Sequence, residues 1–284
     1  MEGTVVELDG DRVAKIWQRR SRAELETLTT FYDAVAAAGL GLQTPRILEV
    51  LDLDGTVASV EVRLTGRPLW VADGSSPDLT DGQVAAVTDV LAALAAVRPT
   101  PAMGVLPVLE DEAAFDTTGT PFSHDLAALV ERRVERFREP LQAQLPDVDR
   151  VTTVVVDRLR ALDPEASSLV HGDLIPANIL VDGHGRPCAV VDFGFLSTVG
   201  DPAFDAAVAA STYDMYGPRA AETEAVLDRA VRDRLGHAPE RLAAHRAAYA
   251  LVTSCCFSVS GSDGHFAWCV RMLGRPDVRT ALGL

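Results

Sequence analysis

Between His171 and Asp192 the chain carries three oxygen-bearing side chains at spacings suited to phosphoryl transfer. Asp173 lies in a polar loop just after the apolar pair Leu169-Val170. Asn178 follows five residues later, at the entry to the apolar run Ile179-Leu180-Val181. Asp192 closes a second apolar run, Ala189-Val190-Val191, and the turn Asp182-Gly183-His184-Gly185 joins the two runs. A hairpin of this kind brings Asn178 and Asp192 together, with Asp173 on the loop before them. A carboxylate and an amide oxygen are hard ligands suited to Mg2+, which takes its remaining oxygens from water and phosphates. Asp173 is then left to orient a hydroxyl and accept its proton. Phosphoryl transfer depends mostly on such positioning and on charge neutralisation.

The series His171-Gly172-Asp173, Asn178 and Asp192-Phe193-Gly194 resembles the catalytic loop and metal-binding triplet of the protein-kinase-like superfamily. It is most similar to the aminoglycoside phosphotransferase and choline-kinase-like branch. The resemblance implies that Asp173 is the catalytic group, that Asn178 and Asp192 are magnesium ligands, and that His171 braces the loop. Asp205, in Gly200-Asp201-Pro202-Ala203-Phe204-Asp205, would anchor that loop by hydrogen bonds. Val13-Ala14-Lys15-Ile16 resembles the strand carrying the phosphate-binding lysine. Lys15 would hold the donor's α- and β-phosphates and pair with a helix glutamate, assigned to Glu24 with Glu26 as the competitor. Glu61, Val62 and Arg63 fall where a lobe linker offers backbone groups to the base of ATP or GTP. Gly3-Thr4-Val5 resembles only the end of a Gly-rich loop, which places Gly3 beside the phosphates. The implied fold is α+β with two kinase-like lobes. Residues 1–65 form a small β-rich nucleotide clamp lacking the first strand and most of the Gly-rich loop. Residues 66–284 form a larger helical lobe for catalysis and substrate binding.

Two features point to a small-molecule acceptor. Protein kinases usually place an arginine at the position of Gly172, to receive a phosphorylated loop. Asp201 also follows Gly194 by only seven positions, too few for a segment that docks a peptide. The expected activity is therefore Mg2+-dependent O-phosphotransfer to an antibiotic of the aminoglycoside or macrolide type, or to a metabolite. The alternatives are a catalytically silent nucleotide-binding protein and a sugar or amino-alcohol kinase without a role in resistance.

These groups need a scaffold, and the hydrophobic pattern supplies one. Asp9-Gly10 between Thr4–Leu8 and Arg12–Trp17 predicts a hairpin. A helix is predicted over 22–38, with Leu25, Leu28, Phe31 and Val35 on one face. Strands over 46–52 and 57–63 meet across Asp54-Gly55, and Thr65-Gly66-Arg67-Pro68 reads as a linker whose glycine relaxes a hinge. Thr80 and Gln83 have capping-box spacing before a helix. Helices follow over 124–139, where Pro140 should end or kink the chain, over 148–162, and through most of the chain from Ala203.

The formal net charge of −15 disfavours nucleic acid and anionic membranes as partners, and is compatible with a cationic acceptor. No long apolar run suggests a membrane span, and the N-terminus lacks a signal-peptide plan. The four cysteines show no metal-ligand spacing, which fits a reducing cytoplasm. Glu110-Asp111-Glu112, Asp214 and Asp263 are candidate acids for an aminated acceptor but read more readily as solvated surface. Phe195, Tyr213, Tyr216, Phe266 and Trp268 read as core more readily than as a substrate pocket.

Overall fold

Runs rich in β-formers set the first sheet. In the computed structural model, which describes residues 3–53, 55–71 and 78–284, β1 (Gly3–Glu7) and β2 (Arg12–Trp17) form the expected antiparallel hairpin. After α1 (Arg22–Ala37) come β3 (Ile47–Leu53) and β4 (Thr56–Val62), also antiparallel. Asp54, named for their turn, lies outside the described residues. The sheet order is β1-β2-β4-β3, so β4 is central and pairs with β2 in the register Lys15↔Ser59 and Val13↔Glu61. Helix α1 begins at a capping box on Ser21 and buries Leu25, Leu28, Phe31 and Val35, the face read from the sequence.

The segment 65–68 is not a free linker. Arg67–Pro68 form a short strand, β5, that pairs with the hairpin following Asn178 in the register Arg67↔Val181 and Pro68↔Leu180. Gly66 has φ of 123°, and a Cβ there would lie 2.7 Å from Cys188 Sγ and 3.0 Å from Leu180 Cβ. It is a glycine because the backbone crosses closely over the hairpin, not because a hinge is relaxed. Helix α2 (Asp81–Ala95) starts at the predicted Thr80–Gln83 capping box. Then β6 (Ser168–Val170) pairs with β9 (Thr198–Gly200), while β7 (Ile179–Val181) and β8 (Pro187–Val190) make the hairpin below the site. Gln43 ties the end of α1 to β8, its N–H donating to Cys188 O and its carbonyl accepting from Val190 N–H.

Two compact units result. One gathers the chain up to Val71, Thr80–Phe115 and Ser168–Val199, so the first sheet and the catalytic hairpin belong to the same unit. The boundary expected at residue 65 falls inside it. The other unit is made of Asp116–Ser167 and Gly200–Leu284, with the segment ending at Leu79. It holds α3 (Phe122–Arg136), α4 (Arg138–Gln144), α5 (Val148–Arg160), α6 (Pro202–Thr212), α7 (Ala220–Leu235), α8 (Pro239–Thr253), α9 (Gly264–Gly274) and α10 (Pro276–Leu282). The helix expected over 124–139 is two helices, and Pro140 sits in the first turn of α4, where its missing N–H breaks no helical bond. Helix α8 is buried along nearly its whole length, and its cations are paired. Arg241 and His245 meet Asp201, and Arg246 meets Glu224 and Asp228. Among the described residues no helix is long and apolar enough to cross a membrane.

Candidate active site

The loop from His171 to Asn178 is wound around one carbonyl. Asp173 O accepts from Ile175 N–H at 2.8 Å and from Asn178 Nδ2 at 2.9 Å. The second bond fixes the Asn178 amide. With its NH2 committed to the loop, its oxygen carries no hydrogen bond among the described residues and is free to act as a ligand. The backbone carbonyl of Asn178 accepts from Val191 N–H at 3.0 Å, continuing the Ile179↔Val190 register and bringing Asp192 level with the loop. At Asp192 the chain then turns into the left-handed region, with φ of 65°. A non-glycine residue held there is strained, and such strain persists only where the surroundings impose it. The Asp192 carboxylate is exposed and makes no hydrogen bond among the described residues.

His171 is fully buried. Its Nε2–H donates to Val191 O at 2.9 Å and its Nδ1 accepts from Asp173 N–H at 3.3 Å, which defines the neutral tautomer. Burial lowers its pKa to about 4, against the weaker upward pull of the Val191 carbonyl. Its ring lies 4.4 Å from that of Phe193, and Phe193 lies 5.7 Å from Phe31 of α1, so the loop, the triplet and the helix meet through three mutually tilted rings. Ser197 closes the arrangement by donating to His171 O at 2.5 Å and accepting from Gly194 N–H at 2.8 Å. Gly172 has φ of 86°, and a Cβ there would fall 2.4 Å from Leu196 C and Phe195 O. Position 172 therefore admits only glycine, a constraint not visible in the sequence.

The electrostatics separate the carboxylates. Asp173 is half-buried, and loss of water, followed by the nearby negative charge of Asp192, raises its pKa to about 6. A carboxyl poised near neutral pH is suited to proton transfer. Glu61, from β4, is also raised, first by burial. Its hydrogen bond from Ser59 and the charge of Lys15 pull it down, and Asp192 pushes it up. Electrostatic coupling thus runs from Lys15 to Glu61, from Glu61 to Asp192 and from Asp192 to Asp173, all in one unit.

The remaining predicted residues fall as follows. Lys15 Nζ rests over the Trp17 ring, 3.8 Å from its centroid. Glu24 is not beside it. Its Oε2 accepts from Ser21 N–H and Ser21 Oγ–H, both at 2.7 Å, as the capping box of α1. In the stretch expected to contact the base, Val62 N–H donates to Arg46 O and Arg63 N–H to Asp11 O, so those two donors are already used. Glu61 presents its side chain to the site instead. Gly3 pairs with Trp17 in the sheet, and a Cβ there would lie 2.4 Å from Ile16 O. Asp205 is buried in the first turn of α6 in the second unit. On the acceptor side, Tyr213, Phe266 and Trp268 are core, Tyr216 is exposed, and Asp263 caps α9 by accepting from Phe266 N–H. Ser59 and Trp17 were missed. The usable signal was period two, which puts Lys15, Trp17, Ser59 and Glu61 on one face of the sheet.

Comparison with known proteins supports the same conclusion. The APH phosphotransferase enzyme family model matches residues 4–250. No curated protein is significantly similar in sequence. Among solved structures, an aminoglycoside phosphotransferase, APH(3'')-Id, from Streptomyces rimosus, in complex with ADP and streptomycin, aligns with a TM-score of 0.50 at 18% identity, covering 86% of this chain and 88% of that one. The macrolide 2'-phosphotransferase MphH from Brachybacterium faecium gives 0.56 at 20%, over 97% and 90%. The GDP and kanamycin complex of the enzyme APH(2")-IIIa gives 0.61 at 14%, over 96% and 89%. At these identities the structures speak for the fold, which is kinase-like, while the family match covers most of the chain and carries its phosphate-transfer chemistry. The chain belongs to the APH phosphotransferase enzyme family and is a small-molecule kinase.

Proposed function

We propose that this enzyme transfers the γ-phosphate of ATP or GTP to a hydroxyl of a small molecule, with Asp173 accepting the hydroxyl proton. The observation that carries the reading is the grouping of Asp173, with its pKa near 6, beside a free Asn178 oxygen and an exposed Asp192 carboxylate. Asn178 and Asp192 would hold Mg2+, and their chemistry fits it, being hard oxygen donors with nothing else bound to them. When bound, the metal neutralises charge on the transferred phosphate and its bridging oxygens. Lys15 binds the donor's phosphates, and the backbone of 61–63 is the candidate contact for its base. His171 holds Asp173 through its backbone N–H.

In this reading residues 1–65 clamp the nucleotide and 66–284 carry catalysis and acceptor binding. Similar folds in complex with ADP and streptomycin, or with GDP and kanamycin, favour an antibiotic or an amine-bearing metabolite as acceptor. The net charge of −15 favours a cationic one. The test is a transfer screen with ATP and GTP over aminoglycosides, macrolides and amino alcohols, run on the wild type and on Asp173→Ala. Mg2+-dependent transfer that disappears in the variant, with nucleotide affinity kept, is the expected outcome. Transfer that survives in Asp173→Ala removes the assignment.

A further inference from the structure

Two cations lie against one indole. Lys15 Nζ is 3.8 Å and Arg20 Cζ 5.2 Å from the Trp17 ring, whose π face attracts both. The charge of each cation reaches a different carboxylate. Arg20 is the cation acting on Glu24, after the hydrogen bonds from Ser21 that dominate there, and Lys15 is the cation acting on Glu61. Trp17 is itself fixed. It is 3% exposed, its Nε1–H donates to Ser59 Oγ at 2.9 Å, and Ser59 Oγ–H donates to Glu61 Oε1 at 2.5 Å. The β2–β4 register explains the chain of contacts. Lys15 lies opposite Ser59, and Glu61 is two positions along the same face, a diagonal that long side chains span.

We propose that Lys15 is positioned by a relay within the sheet, Glu61–Ser59–Trp17, with Glu61 of β4 as its carboxylate partner in place of a glutamate from α1. Glu61 is a positioning residue. It acts on the donor's phosphates through Lys15, and its bond to Ser59 sets the tilt of the indole on which Lys15 rests. Glu24 is committed to the helix cap and Arg20. The inference rests on the reading of Lys15 as the donor-phosphate contact.

The test measures calorimetric binding of MgATP and MgGTP to the full chain, with adenosine and guanosine as phosphate-free probes. Glu61→Gln keeps an acceptor for Ser59 and removes only the charge. It should weaken the preferred triphosphate about tenfold and leave the nucleoside unchanged. Ser59→Ala should give a smaller loss of the same kind. Glu24→Gln should lower the melting temperature and leave triphosphate affinity within twofold. In the double variant Lys15→Ala/Glu61→Gln the losses should not add, because both changes remove one interaction. Additive losses, or a triphosphate-specific loss in Glu24→Gln with none in Glu61→Gln, would overturn the relay while leaving Lys15 as the donor contact. Unchanged triphosphate affinity in Lys15→Ala would overturn the donor-site reading, and the relay with it.

Discussion

Replacing Asp173 by asparagine should make the protein inactive and more stable, and the two effects should share one pH origin. The carboxyl titrates near 3.8 when free and at about 6 in the fold, displaced by burial and then by Asp192. Above pH 6 the folded state must carry a charge that the unfolded chain carries more easily. A raised acid pKa therefore costs stability at high pH, and the cost vanishes below the unfolded pKa. A pKa difference of about 2, at 1.36 kcal/mol for each tenfold change in acidity, gives ~3 kcal/mol at pH 8, falling to about half of that by pH 5. The isosteric amide of the Asp173→Asn variant carries no such cost. Urea unfolding of both proteins at pH 5, 6.5 and 8 measures the difference directly. The variant's advantage should grow with pH over this range, while transfer activity is lost at every pH. In the wild type, kcat/KM should rise through about pH 6 and then level. An advantage that is absent at pH 8, or independent of pH, would refute the claim that Asp173 sits in a charge-averse site.

Other substitutions test the scaffold. Gly172→Ala sets a Cβ against the 195–196 backbone at positive φ, and should cost at least ~2 kcal/mol by thermal unfolding and reduce kcat. His171→Ala leaves the Val191 carbonyl and the Asp173 N–H unpaired in the interior, and should cost about 2–4 kcal/mol and disorder the loop, seen as faster amide exchange at Asp173. Asp201→Asn breaks the buried cluster with Arg241 and His245 and should cost about 3–5 kcal/mol at pH 7 by urea unfolding. Burial works to raise Asp201, but the hydrogen bond and charge of His245, the Ala203 N–H and Arg241 hold it at about 2. Its contribution is thus present above about pH 4 and lost as pH falls towards 2, so wild type and variant should converge in acid.

Most of what positions the chemistry was legible because it is local. The turn at Gly10, the capping box at Thr80, and the loop-hairpin spacing from Asp173 to Asp192 each depend on residues a few positions apart. What was not legible depends on chain crossings. Nothing near Gly172 in sequence announces that the 195–196 backbone passes over it. Nothing near Gly66 announces Cys188. The division into units was hidden for the same reason, since β5 and Gln43 tie the first sheet to the hairpin through pairings more than a hundred residues apart.

Glu24 is the instructive difference. Resemblance placed it beside Lys15 because a helix glutamate is expected there, yet Ser21 three residues earlier makes it one half of a capping box. Only one of these roles could take the carboxylate, and the cap takes it. Its oxygen bonded to Ser21 satisfies the end of α1, the helix whose Phe31 packs against Phe193 of the candidate site. Glu24 thus supports the site through the helix it starts. The charge near Lys15 comes from Glu61 on the neighbouring strand, where the sheet register brings it without help from the helix.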